Sequence, residues 1–238
     1  MFMPRRRIRK SRLALIFDRA QPIYDCIIVD VNTQRDFLST EGVLPIQDRQ
    51  HVIERIRKVM EWAKLYRLPI ISLVDVHRPN GQFIRSSLFP CIEGTLGQQK
   101  MPFTLIPKRF ILEHDASPSL PENLFENYLQ IVIHKRTNDV FTNPKADRLF
   151  SHLQTKRFLI LGVGTERAIK ALALGLLSRG QHPIVVSDSC GCWDSDAASL
   201  ALRQIEAKGA IVVKTEDIIH TDPENLPVPQ IEISSEIE

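Results

Sequence analysis

The stretch Phe158–Gly180, FLILGVGTERAIKALALGLLSRG, decides the fold. Phe158 to Leu161 is a short apolar run of the kind a buried parallel strand presents. Gly162, Val163 and Gly164 make a tight bend, and Thr165 is placed to N-cap the next helix, with Glu166 in its first turn. Ile169, Leu172, Ala173, Leu176 and Leu177 then recur at helical spacing, and Gly180 ends the helix. A strand that feeds a helix N-terminus through glycines is suited to stabilising an anion or a thiolate. With Thr165 as the cap, position 168 lies in the first turn beside free N–H groups, where a nucleophilic cysteine would sit well. The residue there is Ala168.

Outward from this unit the same strand–helix alternation recurs. Asp25–Val31 and Pro69–Val74 read as buried strands, joined by an amphipathic helix over Asp48–Tyr66 with Val52, Ile56, Val59, Ala63 and Tyr66 on one face. Residues 78–128 are irregular and rich in Pro and Gly, with a short strand expected at Phe110–Glu113. Gln130–His134 is a further strand ending at Lys135, and Lys145–Gln154 a helix. Beyond the opening stretch come a strand at His182–Ser187, a helix at Ser195–Lys208 and a last strand at Ala210–Val213. The expected fold is therefore α/β: a doubly wound, largely parallel sheet with helices on both faces, a three-layer α/β/α arrangement. Its site belongs outside the C-terminal strand ends, where Asp30, Asn32, Asp75, His77, Lys135, Ala168 and Asp188 all map.

Composition agrees with one domain. The chain has 238 residues, 43% apolar and 25% charged, enough for a sizeable core and ordinary for a water-exposed surface. No apolar run approaches the roughly 20 residues of a membrane span. Cys26, Cys91, Cys190 and Cys192 form no disulfide framework or ordinary zinc half-site pattern, so a reduced, cytoplasmic setting is expected.

Charge marks both ends. Residues 1–12, MFMPRRRIRKSR, hold six basic side chains and no acid, so the +3 of the whole chain becomes −3 without them. Such an arm can contact nucleic acid or an anionic surface through residues 5–12, act as an address, or be a solvated terminus or oligomer contact. From Asp222 onward there are five acids, no bases and three prolines, the pattern of an extended tail. The expected division is a basic arm at 1–22, a domain at 23–220 and an acidic tail at 221–238.

IIVDVNTQRDF, VDVHRP, CIEGTLG, HKRTNDVF and GVGTERAIKALALGLLSRG with VVSDSC occur in an order that resembles the isochorismatase-like hydrolases. These are also called the cysteine hydrolase superfamily and include nicotinamidases. The resemblance runs from about Asp25 to about Ile219 and implies the fold just described. It implies a triad of aspartate, lysine and cysteine, in which the cysteine attacks an amide or related carbonyl. Aligning Gln34-Arg35-Asp36-Phe37 with the family's Gln-x-Asp-Phe puts Asn32 at the aspartate, Lys135 at the lysine and Ala168 at the cysteine. Val163-Gly164 falls where the family commonly has a cis peptide in its oxyanion hole. Asp75-Val76-His77 matches part of a divalent-metal site, but Pro90 stands where a later histidine is required, so the site reads as vestigial and no cofactor is expected.

Two functions stay open on this reading. One is a non-catalytic member that binds a small ligand or acts as a scaffold. The other is an isochorismatase-type hydrolase of vinyl ethers or amides working without a cysteine, with Asp30 as substitute acid beside Lys135. Asp30 and Asn32 are two apart on a strand, which predicts that they face the same side. Asp30 or a bound anion is then the expected partner of Lys135, and a small anionic ligand the expected occupant. Cys190 and Cys192 are remote candidates for a relocated nucleophile. The family resemblance also implies a homo-oligomer.

Overall fold

The computed structural model describes residues 23–78 and 89–228. The arm at 1–22 and the last residues of the tail lie outside them. Seven strands form the frame: β1 (Ile27–Val31), β2 (Ile70–Asp75), β3 (Arg109–Leu112), β4 (Gln130–Lys135), β5 (Phe158–Val163), β6 (Pro183–Gly191) and β7 (Ile211–Val213). All pairs are parallel, in the order β3-β4-β2-β1-β5-β6-β7. The helices are α1 (Arg35–Leu38), α2 (Arg49–Leu65), α3 (Leu124–Asn127), α4 (Pro144–His152), α5 (Lys170–Leu177), α6 (Ser195–Glu206) and α7 (Thr215–Ile219).

The strands are apolar on both faces because helices cover both. Val29, Ile71, Ile133 and Ile160 pack with Ala146 and Phe150 of α4, Leu172, Ala173 and Leu176 of α5, and Ile205 of α6. On the other side Ile28, Ile70, Leu159 and Ile184 pack with Val52, Ile56, Val59 and Ala63 of α2, and Ile218 of α7. The doubly wound three-layer α/β fold expected from the sequence is thus the observed one.

The chain leaves β1 for β2 on one side and later returns to β5 on the other, so β1 and β5 flank the topological switch point. They are pressed together there. Gly162 has φ 127°, and a Cβ on it would lie 2.0 Å from Val31 O, so only glycine lets the two backbones approach this closely.

Local differences from the sequence reading have physical causes. Tyr66, expected on the buried face of α2, lies beyond the helix end, is 41% exposed and donates its hydroxyl to Asp222. Thr165 does not cap α5. Gly164, at φ 95°, precedes a π-helical turn over Thr165–Ile169. Its carbonyl accepts the N–H groups of both Arg167 and Ile169, while Thr165 Oγ1 donates to Gly191 O. The start of the tail is docked rather than extended. Pro223–Asn225 is a helical turn, Leu226 is buried, and the buried Arg157 guanidinium donates to Pro223 O.

Candidate functional site

β1 ends in a left-handed residue. Asn32 has φ 52°, a conformation asparagine tolerates better than most residues. That turn breaks the strand alternation, so Asn32 and Asp30 do not share a face. Asn32 Nδ2 donates to Asp75 Oδ2 at 2.8 Å, and Lys135 Nζ donates to Asp75 Oδ1. Asp75 and Lys135 are register partners on adjacent strands, which is why the pair forms. The Lys135 side chain is 0% exposed. Lys135 is therefore paired with Asp75, not with Asp30 as the sequence suggested.

Asp30 belongs to a separate buried network. It aligns with Ile28 on the side of the sheet that α2 covers. Its Oδ2 receives Lys100 Nζ at 2.5 Å and Ser72 Oγ at 3.1 Å, and Lys100 also donates to Thr33 Oγ1 at 2.6 Å. Gln130 Nε2 continues the network to Ser72 Oγ and Thr104 O. Burial lowers the pKa of Lys100, and the Asp30 carboxylate opposes that shift. A carboxylate so engaged is paired with Lys100 and not with Lys135.

The Gln34–Phe37 motif holds the site's walls. Gln34 is fully buried: its Oε1 accepts the Asp75 N–H, and its Nε2 donates to Asp75 O and to Gln98 O, each at 2.8 Å. Asp36 accepts from Val43 N at 3.1 Å and Cys91 N at 2.6 Å. Its carboxyl fills the space where a side chain on Gly97 would project, 2.1 Å from that Cβ position. Phe37 meets the Trp193 ring edge-on at 5.3 Å.

Across the switch point lies Ala168, 2% exposed and part of the core beneath α5. A side chain on Gly164 would touch the Ala168 amide nitrogen at 3.6 Å, its methyl at 3.7 Å and the Trp193 ring at 3.5 Å. Trp193 donates to Leu44 O, and Arg167 lies over its ring at 5.1 Å. Among the described residues no peptide bond is cis, so the Val163–Gly164 bond is trans. Glu166 Oε1 accepts from the backbone N–H groups of Trp193 and Asp194.

The remaining candidates are Cys190, Cys192 and His77. Cys190 lies on β6, buried, with its thiol pKa pushed up mainly by desolvation. The half-buried Cys192 is raised for the same reason. Neither is poised as a thiolate. His77 stacks edge-on with Phe89 at 5.0 Å, and burial lowers its pKa. The donors here do not fit a divalent metal. Both Asp75 oxygens are occupied by Lys135 and Asn32, and among the described residues no group of three His, Cys, Asp or Glu side chains could hold an ion.

Lys100, Ser72 and Gln130 were not picked out from the sequence, and Gln34 entered only as part of the aligning motif. For Ser72 and Gln130 the available signal was a polar residue at a strand position flanked by apolar ones, which must find a buried partner. Lys100 gave none, because it lies in the irregular stretch.

Solved structures share this architecture. The zinc-bound pyrazinamidase of Pyrococcus horikoshii superposes with TM-score 0.62 at 19% identity, over 80% of this chain and 99% of that one. An isochorismatase-like hydrolase from Alkaliphilus metalliredigens gives 0.64 at 17% identity, over 83% and 97%. N-carbamoylsarcosine amidase from Thermoplasma acidophilum gives 0.59 at 19% identity, over 80% and 96%. No curated protein sequence matches the chain. At these identities the structural likeness speaks for the fold alone. The family described as Isochorismatase domain matches residues 26–217, nearly the whole sheet with its helices, and the chain belongs to that family.

Proposed function

We propose that this protein is a non-catalytic member of the family that holds a small molecule outside the C-terminal ends of β1 and β5. The observation that carries the reading is the set of groups at the three positions where the family resemblance implies a triad. Ala168 offers a methyl group, which cannot attack a carbonyl. Asn32 offers an amide, which is no general base near neutral pH. Lys135 is already bonded to Asp75. Loss of one such group alone typically costs about 10²–10⁴-fold in rate.

The hydrolase alternative required Asp30 beside Lys135, and Asp30 is engaged by Lys100 on the other side of the sheet. The test is turnover of a panel of primary amides and vinyl ethers by the full chain. The expected result is no rate above that of the Lys135→Met variant. Turnover that disappears in Lys135→Met or in Asp30→Asn would overturn the proposal.

A further inference from the structure

We propose that the β3 edge of the sheet docks a second copy of this chain, the two β3 strands pairing antiparallel about a two-fold axis at Ile111. The inference concerns the far edge of the sheet and stands apart from any ligand held at β1 and β5.

β3 is the last strand on its side, and its register partner is β4. Among the described residues no strand lies on its other edge. A row of backbone N–H and C=O groups with no neighbour is a template for a further strand.

The side chains say which strand fits. Phe110 and Leu112 turn into the core of their own chain. Arg109, Ile111 and Glu113 alternate with them and so share the other face. Glu113, just past the strand, lies near enough to His134 of β4 to act on its imidazole, which places it over the same face. All three are exposed, Ile111 by 50%. The face thus reads basic, apolar, acidic along the strand. Reversed, the same order is its own complement.

An antiparallel pair centred on Ile111 sets Ile111 against Ile111, and each Arg109 against Glu113 of the other copy. Cross-strand pairs of both kinds stabilise a sheet. Moving the axis by one residue sets Ile111 against Arg109 or Glu113 instead, so the pattern also selects the register. Within one chain the two charges cannot meet, being about 13 Å apart along the strand. Arg109 donates to Ile106 O, and neither it nor Glu113 is in a salt bridge among the described residues. Charges on an edge discourage most strands from pairing with it; here the strand they favour is the chain's own. Such a contact is isologous and closes at two copies.

The ribbon is short. Asp115 is drawn toward Lys145, so the matched stretch is 109–113. It buries less than the roughly 1,000 Å² of a stable interface, which puts the dimer in the weak, concentration-dependent class.

The test is sedimentation velocity on the full chain from about 1 μM to about 1 mM, with circular dichroism to confirm that each variant is folded. A monomer–dimer equilibrium is expected in the upper part of that range. Ile111→Lys places two ammonium groups together on the axis and should weaken association about tenfold or more. Arg109→Glu and Glu113→Arg, each alone, set like charges opposite one another and should do the same. Mixed in equal amounts, those two variants should associate, because one copy then has acids at both positions and the other has bases. A chain that stays monomeric over the whole range would overturn the proposal. A dimer indifferent to the variants would also overturn it, as would a mixture no more associated than its components. If Ile111→Lys does not fold, the mixing experiment decides alone.

Discussion

Asn32 and Asp75 meet at the C-terminal ends of the neighbouring strands β1 and β2: the amide of one donates to the carboxylate of the other at 2.8 Å, while Lys135 takes the second carboxylate oxygen. Asp75 is thus the hub of the site. Removing it strands a fully buried lysine. Asp75→Ala is expected to lose about 3–5 kcal/mol of stability, measured by chemical denaturation. The double variant Asp75→Ala/Lys135→Met should recover much of that, since no buried charge is left. A double variant no more stable than Asp75→Ala would show that the pair is not the reason for the loss.

The same pairing sets an expectation for a restored thiol. In Ala168→Cys the new thiol enters a buried position, while the lysine that would favour its ionisation is committed to Asp75. It should alkylate slowly at neutral pH. Adding Asp75→Asn should free Lys135 and speed alkylation, following the fall in thiol pKa from its usual value of about 8.5. If the single variant already alkylates faster than Cys192, the lysine charge is reaching position 168 despite its partner.

Acid should weaken the fold through two histidines. Burial lowers the pKa of His77 and of His134. Their unfolded pKa is about 6.5, so below that value the unfolded chain takes up protons that the folded chain resists. This stability is present above about pH 6.5 and is lost as pH falls toward the folded pKa. Melting temperatures read from pH 7 to pH 5 should drop, and drop less in His77→Gln/His134→Gln. An identical fall in the double variant would place the acid sensitivity elsewhere.

Gly162→Ala tests the contact between the central strands. The added methyl meets Val31 O at 2.0 Å, at a φ of 127°. Neither backbone can yield without breaking the β1–β5 ladder. A loss of at least about 2 kcal/mol is expected, whereas Gly180→Ala, with nothing within 4 Å of its Cβ position, should lose less. Comparable losses would refute the close-approach account.

Truncation to Leu13 removes six basic side chains that show no periodic apolar face. The melting temperature is expected to change little, as for a solvated terminus. A fall of many degrees would make the arm part of the folded structure.

The strands were legible because parallel strands buried on both faces leave unbroken apolar runs, as in Phe158–Leu161 and Ile131–Ile133. Lys135 and Asp75 were legible as strand-end residues, but their bond was not. Pairing depends on the register between β2 and β4, which sequence alone does not carry. Asn32 misled for a related reason: the alternation rule assumes extended backbone, and its φ is positive. Thr165 looked like a cap from its chemistry, yet Gly164 begins the turn and the threonine hydroxyl bonds β6 instead.

Gln34 behaves as a piece of borrowed sheet. Where β1 turns aside at Asn32, the side-chain amide of Gln34 supplies Asp75 with the acceptor and donor that a neighbouring peptide would have given. The same nitrogen also holds Gln98 O. One primary amide therefore joins the end of β2 to the loop that carries Gly97 and Lys100. A shift of that loop cannot leave Asp75 undisturbed unless a buried hydrogen bond breaks, so the loop's position and the alignment of the Asp75 carboxylate are mechanically a single variable.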